Sequence, residues 1–194
     1  MKNKIFFIAE ISANHCGNFE HAKKLIKCAK INGVDAIKLQ TYTADTMTNK
    51  SNKKYFKIKK GLWKGYYLWD LYNKAQTPLK WHKELFKYGK NLGLKVFSTP
   101  YDETAVDFLE KLNTPFYKFA SFEITHLPLI KKVALTKKPM IISTGLASKK
   151  EIKEAIKIAK KYGCPKIILL KCTSTYPAGI ADTNILTIKD LKKS

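Results

Sequence analysis

Arginine is absent from this sequence. All 37 basic residues are lysines, set against 15 acidic residues for a formal net charge of +22. Nucleic-acid binders rely on arginine for bidentate phosphate and guanine contacts, and they gather their cations into one patch. Here the lysines are spread over every helical segment, so no nucleic-acid partner is expected, although a basic surface still attracts small anions. Long apolar runs are missing too. "IFFIAEIS" (5–12) is far too short to cross a bilayer and has no cleavage signal, so neither a membrane anchor nor a secretory leader is expected. Cys16, Cys28, Cys164 and Cys172 form no Cys-x-x-Cys pair and no metal-ligand spacing, which reads as reduced thiols in a cytoplasmic protein. No Gly-x-Gly-x-x-Gly or Walker loop follows the first strand, which counts against a nucleotide-binding doubly wound sheet.

What is present is a regular alternation. Short apolar runs at 4–10, 35–40, 94–100, 115–121, 139–144 and 166–173 read as buried parallel strands. Amphipathic segments lie between them, with Asn18, Thr77, Asp102 and the Ser148–Glu151 capping box as starts and Gly33, Gly93 and Gly163 as stops. Strand and helix in turn, joined by short loops, predict an α/β fold with a parallel sheet. One insertion, residues 43–76, breaks the spacing and holds Trp63 and Trp69. For these tryptophans and Trp81, packing onto the fold is favoured over stacking on a sugar.

Nearly every predicted strand runs into polar residues at its C-terminal end: Glu10, Lys38 and Gln40, Thr99, Lys118 and Ser121, Ser143, Lys171 and Thr173. That is the face on which (β/α)8 barrels assemble their chemistry. A lysine such as Lys38 inside "DAIKLQTY" is costly to bury without a partner. An anionic ligand or Glu10 would supply one. The strand lysines Lys38, Lys118 and Lys171 also leave open a Schiff-base aldolase, in which one of them is the nucleophile.

"IAEISANHCGNFEHAKKLIKCAKINGVDAIKLQTY", "STPYDETAVDFLEKL", "YKFASFEITHLPLI", "IISTGLAS" and "LLKCTSTYPA" resemble, in order, the motifs of the sialic acid synthases, and the resemblance covers essentially the whole chain. "KGLWKGYYLWDLYNKAQTPLKWH" (60–82) and "KCTSTYP" are most similar to the branch making pseudaminic acid. The resemblance implies an incomplete (β/α)8 barrel of about six βα units. It implies an enzyme of carbohydrate biosynthesis, serving surface polysaccharide or flagellin glycosylation. The implied reaction condenses phosphoenolpyruvate with an N-acetylated amino sugar aldehyde, giving a nine-carbon 2-keto acid and phosphate. By motif match, Glu10 and Lys38 are the catalytic residues, Glu10 for proton handling or orienting water. Lys38 and Lys118 would grip phosphoenolpyruvate, with Thr99, Ser121 and Ser174 as neutral donors to the same anion. Gln40 and Tyr176 would line the sugar site, and Asn14 would hold the first loop.

The resemblance further implies a divalent metal, manganese, to polarise the sugar aldehyde, and a homodimer at full length. The metal-binding histidines of relatives fall after residue 194, and none of His15, His21, His82 and His126 matches them. Residues 1–194 therefore correspond to the N-terminal part of the barrel, with the last strands and an antifreeze-like domain lacking. The expectation is a chain without turnover of its own. The alternative from another class is an anion- or sugar-binding half-barrel with no chemistry.

Overall fold

A computed structural model describes residues 5–175 and 177–192, and it divides into two compact units, Met1–Ala105 and Val106–Ser194. In the first, strand β1 (Ile8–Glu10) leads to helix α1 (Phe19–Ile31), β2 (Ala36–Thr41), α2 (Ala44–Met47), α3 (Leu68–Ala75), α4 (Leu79–Asn91) and β3 (Lys95–Pro100). Helix α5 (Glu103–Lys111) carries the chain across the boundary. The second unit holds β4 (Tyr117–Phe119), α6 (Leu127–Leu135), β5 (Met140–Ser143), α7 (Lys149–Lys161), β6 (Ile167–Leu170) and α8 (Thr187–Leu191). In each unit the strands pair in parallel and in chain order: β1 with β2 and β2 with β3, then β4 with β5 and β5 with β6.

The helix ends follow local chemistry. The Asn18 side chain accepts from the His21 N–H at 2.9 Å, and Ser148 and Glu151 form the expected reciprocal box at the start of α7. Asp102 accepts from the Thr104 and Ala105 N–H groups ahead of α5. Thr77 departs from its expected role. Pro78 occupies the cap position of α4, and the buried Thr77 hydroxyl turns to His15 at 3.3 Å. Three strands are well short of the apolar runs, and β4, at Tyr117–Phe119, leaves Ser121 beyond its end. β1 begins only at Ile8, leaving Ile5, Phe6 and Phe7 exposed, and β6 ends at Leu170, so Lys171, Cys172 and Thr173 lie beyond it.

The core of the first unit is built from Ile26 on α1, Ile37 and Leu39 on β2, Leu85 and Phe86 on α4, and Val96 and Phe97 on β3, all at most 2% exposed. Gly89 lets α4 lie directly on β3, because a Cβ there would run into the Val96 side chain. In the second unit the core is built from Tyr117, Phe119, Met140 and Ile142 of the strands, Leu129, Ile130 and Val133 of α6 and Ala155 and Ala159 of α7, all fully buried. The period of two along β2 separates its faces: Ile37, Leu39 and Thr41 are buried, while Lys38 and Gln40 are partly exposed. That alternation places the polar groups described next.

Candidate active site

In the parallel register Glu10 of β1 lies opposite Lys38 of β2, and Gln40 lies opposite Thr99 of β3. The Lys38 ammonium forms a salt bridge with the Glu10 carboxylate, with side chains 13% and 40% exposed respectively, and it donates to the Thr99 hydroxyl at 3.3 Å. The lysine embedded in β2 thus has a carboxylate partner, one of the two partners that its burial required. Gln40 sits between two hydroxyls. Ser12 Oγ lies 3.1 Å from its Oε1, and its Nε2 donates to Tyr101 Oη at 3.0 Å. The Ser12 backbone N–H also donates to Glu10 Oε1 at 3.0 Å. Glu10, Lys38, Gln40 and Thr99 therefore form one polar cluster at the C-terminal ends of three strands.

Behind it runs a second, buried chain of hydrogen bonds. His82 Nδ1 lies 3.2 Å from the Pro78 carbonyl, which only a protonated Nδ1 can satisfy. Nε2 is then the acceptor for the Thr41 hydroxyl at 2.9 Å, and Thr41 in turn accepts from Ser98 at 2.6 Å. Burial, opposed by hydrogen bonds to backbone and reinforced slightly by His15, lowers the His82 pKa to about 4. His15 is fully buried, accepts from the Gly17 N–H at 3.0 Å through Nδ1 and faces Thr77 through Nε2. Burial, and secondarily the charge of His21, lowers its pKa as well. Both rings are neutral framework. Trp81 packs against His15 and Phe19, Trp69 donates to Asp45 at 2.7 Å, and Trp63 is 46% exposed.

The second unit has its own cluster. Lys118 of β4 is buried and donates to the Ser143 hydroxyl and the Phe119 carbonyl. The Cys172 thiol donates to the same Ser143 oxygen at 3.1 Å. Ser121 Oγ accepts from the Gly145 N–H at 3.2 Å, and a Cβ on Gly145 would meet the hydroxyls of Ser121 and Ser174, so Gly145, Ser121 and Ser174 pack together. Lys171 is tied to Thr173 at 2.8 Å in the loop after β6. Tyr176 lies outside the described residues. A cavity of about 320 Å³ elsewhere in this unit is lined by Ile156, Ile167, Leu169, Ile188, Leu191 and Lys171, and of the residues weighed above it contains only Lys171.

The motif reading passed over Glu123. It stands just after β4, its Oε2 is buried with no hydrogen-bond partner among the described residues, and burial raises its pKa despite the opposing charges of Lys118 and His126. The signal was available: an acidic residue enclosed by Phe122 and Ile124 close behind a strand. Ser12 and Tyr101 were also unremarked, because a lone hydroxyl has no sequence signature. Among the described residues no group of three or more His, Cys, Asp and Glu side chains could hold a metal ion.

Over residues 25–194 the sequence matches the NeuB family. The chain belongs to that family. It is 45% identical over 190 residues to the pseudaminic acid synthase of Campylobacter jejuni, covering 98% of this chain and 55% of the relative. With the N,N'-diacetyllegionaminic acid synthase of the same species it shares 37% over 192 residues, covering 97% and 57%. The fold matches the crystal structure of N-acetylneuraminic acid (sialic acid) synthetase from Leptospira borgpetersenii at a TM-score of 0.85 and 29% identity, over 98% of this chain and 62% of that one. The NeuB chain is thus an α/β protein of the (β/α) barrel class, represented by six strands among the described residues. It spans about half the length of the curated relatives it matches.

Proposed function

We propose that this NeuB chain supplies the phosphoenolpyruvate and amino-sugar contacts of a synthase that joins the two into a nine-carbon 2-keto acid with release of phosphate. The observation that carries the reading is the Glu10–Lys38–Thr99 cluster, an ammonium and a hydroxyl beside a carboxylate at adjoining strand ends. Phosphoenolpyruvate carries a carboxylate and a phosphate, and charge-assisted donors are what such a ligand requires. In this scheme Lys38 and Thr99 bind part of the anion and Glu10 takes or orients the proton of the attacking water. Lys118, Ser121 and Ser174 contribute further donors. Burial raises the pKa of Glu123, which suits that carboxyl to proton donation. The higher identity to the pseudaminic than to the legionaminic synthase supports, as the acceptor aldehyde, the diacetamido-trideoxy sugar that leads to pseudaminic acid.

No step is routed through a metal. The four cysteines are free, which supports a cytoplasmic site of action. Among the described residues no helix is long and apolar enough to cross a membrane. The aldolase reading needs a neutral amine. Lys38 is instead ion-paired with Glu10, and Lys118 is engaged as a donor to Ser143 and Phe119.

The test is calorimetric titration of the chain with phosphoenolpyruvate, followed by phosphate release with manganese and either N-acetylmannosamine or the diacetamido-trideoxy sugar. The expected result is anion binding that Lys38→Ala abolishes. Failure to bind phosphoenolpyruvate would overturn the proposal. Binding with no release for either sugar would favour a half-barrel without chemistry of its own.

A further inference from the structure

Ser12 has a backbone that serine adopts at a cost. Its φ is +46°, in the left-handed region that favours glycine, at the second position of a turn closed by the Asn14 N–H on the Ile11 carbonyl at 3.0 Å. The turn alone needs no side chain there. Yet both polar groups of Ser12 point into the first-unit cluster: the N–H onto Glu10 Oε1 and the hydroxyl onto Gln40 Oε1. The other end of the Gln40 amide meets Tyr101 Oη, and the Tyr101 ring is held edge-on against Tyr42 at 5.2 Å. Tyr42 is itself edge-on against Tyr72 of α3, in the insertion, at 6.0 Å.

We infer that Ser12 is a positioning residue: its hydroxyl, with that of Tyr101, anchors Gln40 for binding of the amino sugar. Each hydroxyl can donate or accept, so the pair serves either orientation of the amide and fixes its place while leaving it able to offer N–H or C=O to a ligand. The same serine touches Glu10 through its backbone, so one strained residue sets the spacing between the proposed base and the proposed sugar contact. The inference deepens the function proposed above and rests on its sugar role for Gln40.

Glycine makes the test clean. Ser12→Gly keeps the N–H on Glu10, suits the left-handed backbone and removes only the hydroxyl. Gln40 and Gln76 are the only glutamines, so selective amide labelling and a Gln76→Ala control assign the Gln40 side-chain signals. In the intact 194-residue chain, Ser12→Gly is expected to leave the thermal midpoint unchanged or slightly higher. It should shift the Gln40 amide signals and speed their hydrogen exchange. It should weaken N-acetylmannosamine or diacetamido-trideoxy sugar binding roughly tenfold, with phosphoenolpyruvate affinity within about twofold of the parent. Tyr101→Phe should reproduce the amide and sugar effects. Unchanged Gln40 signals overturn the anchor whatever binds. Altered signals with unchanged sugar affinity overturn its role in binding. If the parent chain binds phosphoenolpyruvate but neither sugar, the sugar reading of Gln40 fails, and the amide signals alone still decide the anchor.

Discussion

In the first unit the strand ammonium, Lys38, meets a carboxylate across the strand pair; in the second, Lys118 donates to a hydroxyl and a peptide carbonyl, and the nearby carboxylate is left with a buried oxygen lacking a hydrogen bond among the described residues. The same two residue types, lysine and glutamate, thus meet different surroundings in the two units. An ion pair stabilises both charges where they stand. Burial of a carboxyl with one oxygen lacking a hydrogen bond shifts it towards its protonated form.

Lys38→Ala is expected to break the comparison most severely. It removes the cation while leaving Glu10, so an incoming anion would meet a bare carboxylate. Loss of a charge-assisted hydrogen bond and its replacement by like-charge repulsion predict at least about a hundredfold weaker phosphoenolpyruvate binding, on the order of 3 kcal/mol, read by calorimetry. Lys118→Ala should cost less, because it leaves no bare carboxylate of the Glu10 kind facing the anion and its acceptors are a hydroxyl and a peptide carbonyl. Equal losses in the two variants would remove the distinction drawn here.

The next effect separates the units by pH. His82 has a folded-state pKa of about 4 against 6.5 for the free side chain. Its neutral form is the one that the folded state accommodates, so its contribution is complete above pH 6.5 and is lost as pH falls through 6.5 towards 4. At about 1.4 kcal/mol per unit, the difference amounts to roughly 3 kcal/mol. Urea unfolding of the parent chain and of His82→Asn should show a steeper loss of stability over this window in the parent. His15, also lowered by burial, adds to the slope in both proteins.

Much of this arrangement was legible in the sequence. Parallel strands, caps at Asn18 and Ser148 and the polar strand ends all follow from short-range patterns. Lys38 was legible because a lysine inside a strand demands a partner. Lys118 was flagged by the same rule, but nothing local names Ser143 as its acceptor, since that contact joins residues 25 positions apart. Thr77 shows the opposite failure. It has the composition of a cap, and a buried histidine 62 positions away claims its hydroxyl. Side-chain acceptors distant in sequence are the part that periodicity cannot supply.

Two glycines sharpen the contrast at moderate cost. Gly89→Ala drives a methyl group into Val96 in the first-unit core and should destabilise the chain by about 2 kcal/mol, offset in part by helix propensity, with phosphoenolpyruvate affinity unchanged. Gly145→Ala presses instead on the Ser121 and Ser174 hydroxyls. It should weaken phosphoenolpyruvate binding several-fold, with a smaller loss of thermal stability. A binding loss in the first variant, or none in the second, would argue against the second-unit hydroxyls as ligand contacts.

The smallest effect has the opposite sign. Burial raises the pKa of Glu123, so the folded state prefers the protonated carboxyl. Its contribution to stability is complete below the ordinary carboxylate pKa and is lost as pH rises through the raised folded value. Ionising Glu123 therefore costs the folded chain more than the unfolded one. Glu123→Gln keeps the shape, removes the charge and supplies an N–H. It should stabilise the chain at pH 7 by about 1 kcal/mol and give no advantage at pH 4. If Glu123 is also the proton donor, the same substitution suppresses phosphate release in any preparation that shows it. Gained stability with lost turnover marks a carboxyl kept for chemistry. Lost stability at pH 7 would mean that the buried oxygen is better served as an anion than its surroundings indicate.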